Sequence, residues 1–373
     1  MNGWLLVLCA LPVLGLAQPV PVAFDEAQRE RIASLGPWPP QRAKDPSNRV
    51  SGNADAIALG ARLFDDRSLS KNADIACTTC HRPAHGFTDG NERAQGIARG
   101  DRNTPSLLDL AGLRWYGWDG AQDNLWAQSL RPMLDPREMG ADMGQVASRV
   151  RNDRSLRSAY VKAFGRAPPK RDEAVAVDVS KVIAAYVETL TSPRSSFDDF
   201  RDALLRGDET AMAKYPPLAQ RGLAIFVGSG KCTNCHAGPR MSSGEFHDVG
   251  IPYFAEPGRV DPGRFGGVRN VRAGRFNLLG IYNDDAKRST AVGTRHVTLD
   301  HRNYGEFKVP SLRGVAQTAP YMHNGSLATL RDVVRHYSSF DVERQHSDGE
   351  RILVPLGLDK YDVDALVAFL ETL

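Results

Sequence analysis

Two short stretches, "CTTCH" at 77–81 and "CTNCH" at 232–236, constrain this chain more than anything else in it. Each sets two thiols three positions apart, with an imidazole directly after the second. One turn of helix brings such thiols to the same side. The fifth cysteine, Cys9, sits in an apolar N-terminal run, so Cys77, Cys80, Cys232 and Cys235 are all committed to these two units. A disulfide within each pair leaves His81 and His236 unexplained. A shared zinc site requires closer pairs than the 151 residues that separate Cys80 from Cys232. A thioredoxin-like dithiol requires a βαβ setting, and no such pattern is visible. Cys-x-x-Cys-His is the attachment signature of c-type haem. The pattern therefore predicts two covalent haems, their vinyl groups joined to the thiols and their irons held by His81 and His236.

The rest of the composition narrows the setting. A chain of 373 residues suffices for two domains. Its net charge of +3, without a Lys/Arg cluster interleaved with aromatics, argues against nucleic acid as a partner. Residues 4–16 form an uncharged apolar run, followed by small residues before Gln18. Residues 1–17 read as a secretory signal peptide, which predicts export to the periplasm and a mature chain without a membrane span.

The surroundings of the two units repeat. "GARLF" at 60–64 precedes the first and "GLAIF" at 222–226 the second, each closing a segment with apolar residues at helical spacing. "EAVAVDVSKVIAAYVETL" reads as a long amphipathic helix, and "SPRSSFDDFRDALLRGDE" opens the second module. Strand signals are weak, and 34 glycines with 23 prolines point to long loops. The expected fold is mainly α, with two cytochrome c-like haem domains at 18–205 and 206–373 and a haem in each core.

What such a pair does depends on the sixth ligand of each iron. Residues 86–117 contain no His, Met, Cys or Lys, and His85 is too near His81 in sequence to cross to the opposite haem face. This predicts an open position on the first iron. For the second, "TLRDVVRHYSSF" places Leu330, Val333, Val334 and Tyr337 on one helical face. A buried aromatic on such a face ordinarily serves only as core, but a phenolate is also a haem ligand, as in catalase. Met322 and Met241 are rival ligands. His336 projects about 100° away, beside Asp332 and Arg335, and is expected in solvent.

From about residue 50 onward the chain resembles the bacterial di-haem cytochrome c peroxidase and MauG family. The motifs that carry the resemblance are "CTTCHRPAHGFTDG", "RNTPSLLDLAGLRWYGWDG", "QSLRPMLDPREMG", "GLAIFVGSGKCTNCHAGP", "FKVPSLRGVAQTAPYMHNGSLATL" and "VVRHY". The resemblance implies that the N-terminal haem reacts with peroxide and the C-terminal haem stores electrons. It assigns Trp118 to the bridge between haems and Glu138 to distal acid–base work, with Gln128 and Pro132 lining the same pocket. Asn103, Thr318 and Pro320 match the family's calcium site between the haems. Ordinary members carry a histidine where this chain has "AQGIARG" and a methionine at the position of Tyr337. On both counts the chain is similar to MauG and its relative MbnH. That implies a high-valent, bis-ferryl-like state that oxidises an aromatic residue, a tryptophan, on an exported partner protein. The alternatives are a peroxidase that reduces hydrogen peroxide with electrons from a small cytochrome c, and a non-catalytic di-haem electron carrier. Two departures stand out. Gly230 replaces the surface tryptophan through which MauG passes its oxidation, and Gly117 replaces the usual phenylalanine before "WDG".

Overall fold

The computed structural model describes residues 22–373 except 42, 253, 257, 350 and 351. The predicted signal segment, residues 1–17, lies outside the described residues. Helices dominate, in the order α1 Glu26–Ser34, α2 Ala54–Phe64, α3 Cys77–Cys80, α4 Leu125–Leu134, α5 Met143–Asn152, α6 Arg154–Phe164 and α7 Asp172–Val187. They continue with α8 Ser196–Arg206, α9 Glu209–Met212, α10 Pro217–Val227, α11 Arg264–Ala273, α12 Val292–His296, α13 Leu330–Ser339 and α14 Lys360–Leu370. The described strands form two small antiparallel ladders. β1 Phe246–His247 pairs with β4 Phe307–Lys308, and β2 Phe254–Glu256 with β3 Arg259–Val260.

The sequence repeat becomes a repeated helix crossing. A Cβ added to Gly60 on α2 would stand 2.0 Å from the Val182 carbonyl oxygen of α7. One added to Gly222 on α10 would stand 2.0 Å from the Ala365 carbonyl oxygen of α14. Only glycine permits backbones to approach so closely. An aromatic pair seals each crossing: Phe64 with Tyr186 at 5.3 Å, and Phe226 with Phe369 at 5.0 Å between ring centroids.

Two hydrophobic cores grow around these crossings. The first gathers residues of α2 and α4–α7, including Leu59, Trp126, Val146, Tyr160 and Val182. The second gathers α8, α10, α13 and α14, through Phe197, Leu223, Val334 and Phe369. Helix α8, which carries "SFDDF", packs into the second core through Phe197, Phe200 and Leu204. Ile32 of α1 joins the same core from the other end of the chain.

Helix α7 differs from the amphipathic helix expected. Every residue from Val175 to Ala185 is buried. Its polar members are satisfied in place, because α2, α4 and α5 pack around it. Asp178 accepts hydrogen bonds from Tyr160 and from Arg49 at 3.1 Å, while Lys181 donates to the Tyr282 carbonyl at 2.7 Å and pairs with Asp284 at 2.5 Å. Buried charges persist where such partners exist.

Candidate functional site

Both Cys-x-x-Cys-His units open onto one continuous cavity of about 860 Å³. The first unit is a single helical turn and the second a 3₁₀ turn, Cys232–Asn234. Both turns close with the same bond: the His81 amide donates to the Cys77 carbonyl at 2.9 Å, and the His236 amide to Cys232 at 2.8 Å. Each imidazole then donates from Nδ1 to a backbone carbonyl, His81 to Phe87 at 2.9 Å and His236 to Met241 at 3.0 Å. Phe87 and Met241 both hold positive φ, which turns each loop back on its histidine. Burial lowers both histidine pKa values, that of His236 to about 4, so the rings are neutral at pH 7. With Nδ1 carrying the proton, Nε2 keeps its lone pair for a metal.

The residues present fit haem. Around the first unit the cavity wall is apolar, with Phe64, Ile75, Leu107 and Ile183; around the second it is formed by Phe226, Leu312, Val334 and Leu366. Thr104, also on the wall, has its hydroxyl buried without a hydrogen-bond partner, which suits an occupant with acceptor oxygens. The thiols are not those of a reactive dithiol. Burial pushes Cys77 and Cys232 up to about 12, and burial with the nearby Asp89 charge pushes Cys80 up to about 11.

α4 and the turn after it supply part of the cavity wall. Gln128, Pro132 and Glu138 all line the cavity. Pro132 inside α4 has no N–H to give to the Gln128 carbonyl. The Glu138 carboxylate accepts from Arg131 at 2.7 Å. The "AQGIARG" loop seats itself on this turn, with Ile97 donating to the Glu138 carbonyl at 3.0 Å and Ala98 to Arg137 at 2.9 Å. Ala94, Gly96 and Ala98 thereby cover the pocket with small residues. Met139 also lines it, but its side chain is packed in the first core. His85 is exposed.

Trp118 lines the same cavity. Its Nε1–H donates to the Asn103 carbonyl at 2.9 Å, and its own carbonyl accepts from Lys308 at 2.7 Å. Gly117 before it has φ of 77°, a conformation that explains glycine in place of phenylalanine. Asn103, Thr318 and Pro320 line the same cavity. The Asn103 amide nitrogen is engaged with the Asn91 carbonyl at 2.8 Å, and the Thr318 hydroxyl with Val315 at 3.0 Å.

Around the second unit, Tyr337 lines the cavity with Cys232, Cys235 and His236. Burial, with the two neighbouring sulfurs, pushes its phenol well above the ordinary range. Of the rivals, Met322 lines the cavity. Met241 is wholly buried in the second core and serves His236 through its carbonyl. His336 corrects an expectation: it is half-buried and donates to the Val249 carbonyl at 2.7 Å, because the 246–250 loop folds over α13. Gly230 has no room for a side chain, since a Cβ there would meet the Ile225 carbonyl at 2.8 Å.

Sequence reading missed three cavity residues. Arg131 holds Glu138. Lys308 has its pKa lowered by burial to about 8. His323, lowered to about 3 by burial, stacks on Phe307 at 3.5 Å. His323 and Lys308 lie inside quoted motifs, but only the folded chain turns them toward the cavity.

Known proteins share this sequence pattern and fold. The profile of a family described as "Di-haem cytochrome c peroxidase" matches residues 54–210, and one described as "RoxA-like, cytochrome c-like" matches 306–339. The methylamine utilization protein MauG of Paracoccus denitrificans (strain Pd 1222) is 32% identical, over 86% of this chain and 88% of that protein. The chain belongs to the di-haem cytochrome c peroxidase family. The cytochrome-c peroxidase IdrP2 of Denitromonas iodatirespirans is 35% identical, over 87% of this chain and 82% of that one. Among solved structures, a MauG-like protein associated with microbial copper homeostasis superposes with a TM-score of 0.68 at 25% identity, covering 90% of this chain and 95% of the other. As a di-haem peroxidase, the chain is an oxidoreductase that uses hydrogen peroxide, and its family implies haem c at the two attachment units. Among the described residues, no helix is long and apolar enough to cross a membrane.

Proposed function

We propose that this di-haem peroxidase is of the MauG type: an exported enzyme that uses hydrogen peroxide to oxidise an aromatic residue, a tryptophan, on a periplasmic partner protein. The observation that carries the reading is Tyr337, which shares the second half of the cavity with His236 and the Cys232/Cys235 pair. His81 would hold the iron of the first haem, and His236 with Tyr337 that of the second. Bound haem supplies redox-active iron and, in the first half of the cavity, the place where the peroxide O–O bond breaks. An anionic phenolate favours oxidised iron over reduced.

The chain's own groups do the rest. Glu138 takes the proton from the near oxygen of peroxide and returns it to the far one, so that water leaves. Acid–base help of this kind contributes about 10²–10⁴-fold. Arg131 holds the Glu138 carboxylate in place, while Gln128 and Pro132 shape the pocket beside it. Trp118, fixed by Asn103 and Lys308, carries electrons between the two halves. Two electrons and two protons from the partner balance the reduction of hydrogen peroxide to two waters. Because Gly230 leaves no room for the surface tryptophan, these electrons enter elsewhere. Asn103, Thr318 and Pro320 would hold the family's calcium ion, which would tie together the chain segments that carry them.

The test uses peroxide titration of the purified holoprotein. Glu138→Gln and Tyr337→Phe should each abolish the long-lived absorption change that peroxide produces, with both haems still covalently attached. Variants that titrate like the wild type would sink the proposal. The likeness to cytochrome-c peroxidase IdrP2 favours a second reading, in which electrons come from a small cytochrome c. Fast, peroxide-dependent oxidation of reduced cytochrome c by the wild type would select it.

A further inference from the structure

Away from the haem cavity, two loops bring His301, His346 and Asp348 together at the surface. His301 Nδ1 lies 3.0 Å from an Asp348 carboxylate oxygen. The rings of His301 and His346 stand 5.0 Å apart. One donor atom from each of the three residues lies within 4.8 Å of the other two. The arrangement is anchored from beneath. The His346 amide donates to the Asp248 carboxylate at 2.7 Å, and Gln345 Nε2 to the Asp248 carbonyl at 3.1 Å. Tyr304 lies 6.0 Å from both imidazoles, ring to ring.

We propose that His301, His346 and Asp348 form a site for one divalent transition-metal ion, Zn²⁺ or Cu²⁺. An ion pair alone accounts poorly for the cluster. The side chains of His301 and Asp348 are 67% and 58% exposed, and pairs so exposed contribute little. His346 stands beside the pair, its Nδ1 accepting from the Asp348 amide at 3.4 Å, and adds a second imidazole to it. Two imidazoles and one carboxylate are ligands that select zinc or copper over calcium or magnesium. With bonds of about 2.0–2.2 Å, tetrahedral donors stand a little over 3 Å apart. The His301–Asp348 separation is already of that order, and the half-buried His346 offers a donor atom within 4.8 Å of both. Three protein ligands leave at least one coordination position for water or for a side chain of a docked protein.

The position has a structural consequence. The loop carrying His346 and Asp348 leads into Ile352, Leu353, Val354 and Leu356, which line the haem cavity. The Leu356 amide donates to the Tyr337 carbonyl at 3.1 Å. An ion bound at the cluster therefore fastens the 301–303 turn to the loop that precedes this segment.

The test is isothermal titration of tag-free holoprotein, treated with chelator and returned to buffer containing Ca²⁺, with Zn²⁺ alone and separately with Cu²⁺ alone. One equivalent of either metal should bind. His346→Ala and Asp348→Asn should each weaken binding at least tenfold without altering the haem spectrum. Cu²⁺ should show a nitrogen-coordinated electron paramagnetic resonance signal that the variants lose, and saturating Zn²⁺ should raise Tm in the wild type only. Absence of uptake, or equal affinity in the His301→Ala/His346→Ala double variant, overturns the proposal.

Discussion

Glu188 keeps one buried carboxyl oxygen without a partner while Ser51 donates to the other at 2.6 Å. Burial raises its pKa from 4.5 to about 7, and the nearby Asp45 charge adds to the rise. The folded state therefore binds a proton that the unfolded chain has already lost between those two values. This contribution to stability is complete below pH 4.5 and disappears as pH rises through 7. Glu188→Gln should flatten that part of the pH–stability profile relative to wild type, and at pH 8 it should stabilise the fold by about 3 kcal/mol. Denaturant titrations at pH 5 and pH 8 would measure the difference, and parallel profiles would refute it. At the candidate site, Arg131 matters through its 2.7 Å bond to Glu138. Arg131→Gln should slow the stopped-flow reaction with peroxide by about tenfold, less than the loss on Glu138→Gln, because the carboxylate remains but is no longer held. Neither residue announced its environment in the sequence. A glutamate near a helix end and an arginine one turn inside another helix look like surface until the fold places them.

Among the elements, the two glycine crossings are the most exacting contacts in the molecule. Gly60→Ala must push α2 off α7, and Gly222→Ala must push α10 off α14, since backbone carbonyl oxygens occupy the space. Each substitution should cost about 3 kcal/mol, near the upper end for overpacking, and should lower Tm. An exposed control such as Gly165→Ala, which has open space but φ of 66°, should cost less. The GARLF/GLAIF repeat was legible because helical spacing and a conserved glycine offset survive in the sequence of one chain. The full burial of α7 was not, because its Asp178 and Lys181 mimic a solvated face. Their partners come from Arg49, Tyr160 and Asp284, far away along the chain. His336 misled for the same reason: its carbonyl partner, Val249, lies on a distant loop.

At the scale of the whole molecule, Arg102 joins the halves. It pairs with Asp119 at 2.8 Å and with Asp261 at 2.7 Å, next to the turn that carries Trp118. Removing it strands two largely buried carboxylates, so Arg102→Gln should destabilise the protein by about 3 kcal/mol, read from denaturant unfolding of the holoprotein. An unchanged midpoint would mean that the halves are held by other contacts. By itself, the sequence determined the two Cys-x-x-Cys-His units, the helical character and the repeated GARLF/GLAIF segment, because each is a local spacing that chemistry reads directly. Only the tertiary structure decided that both units share one cavity, that Trp118 lines it, and that Tyr337 rather than Met241 faces it. It also decided that His301, His346 and Asp348 meet. Those relations join residues tens to hundreds of positions apart, and no local pattern encodes a distance that the chain acquires only by folding.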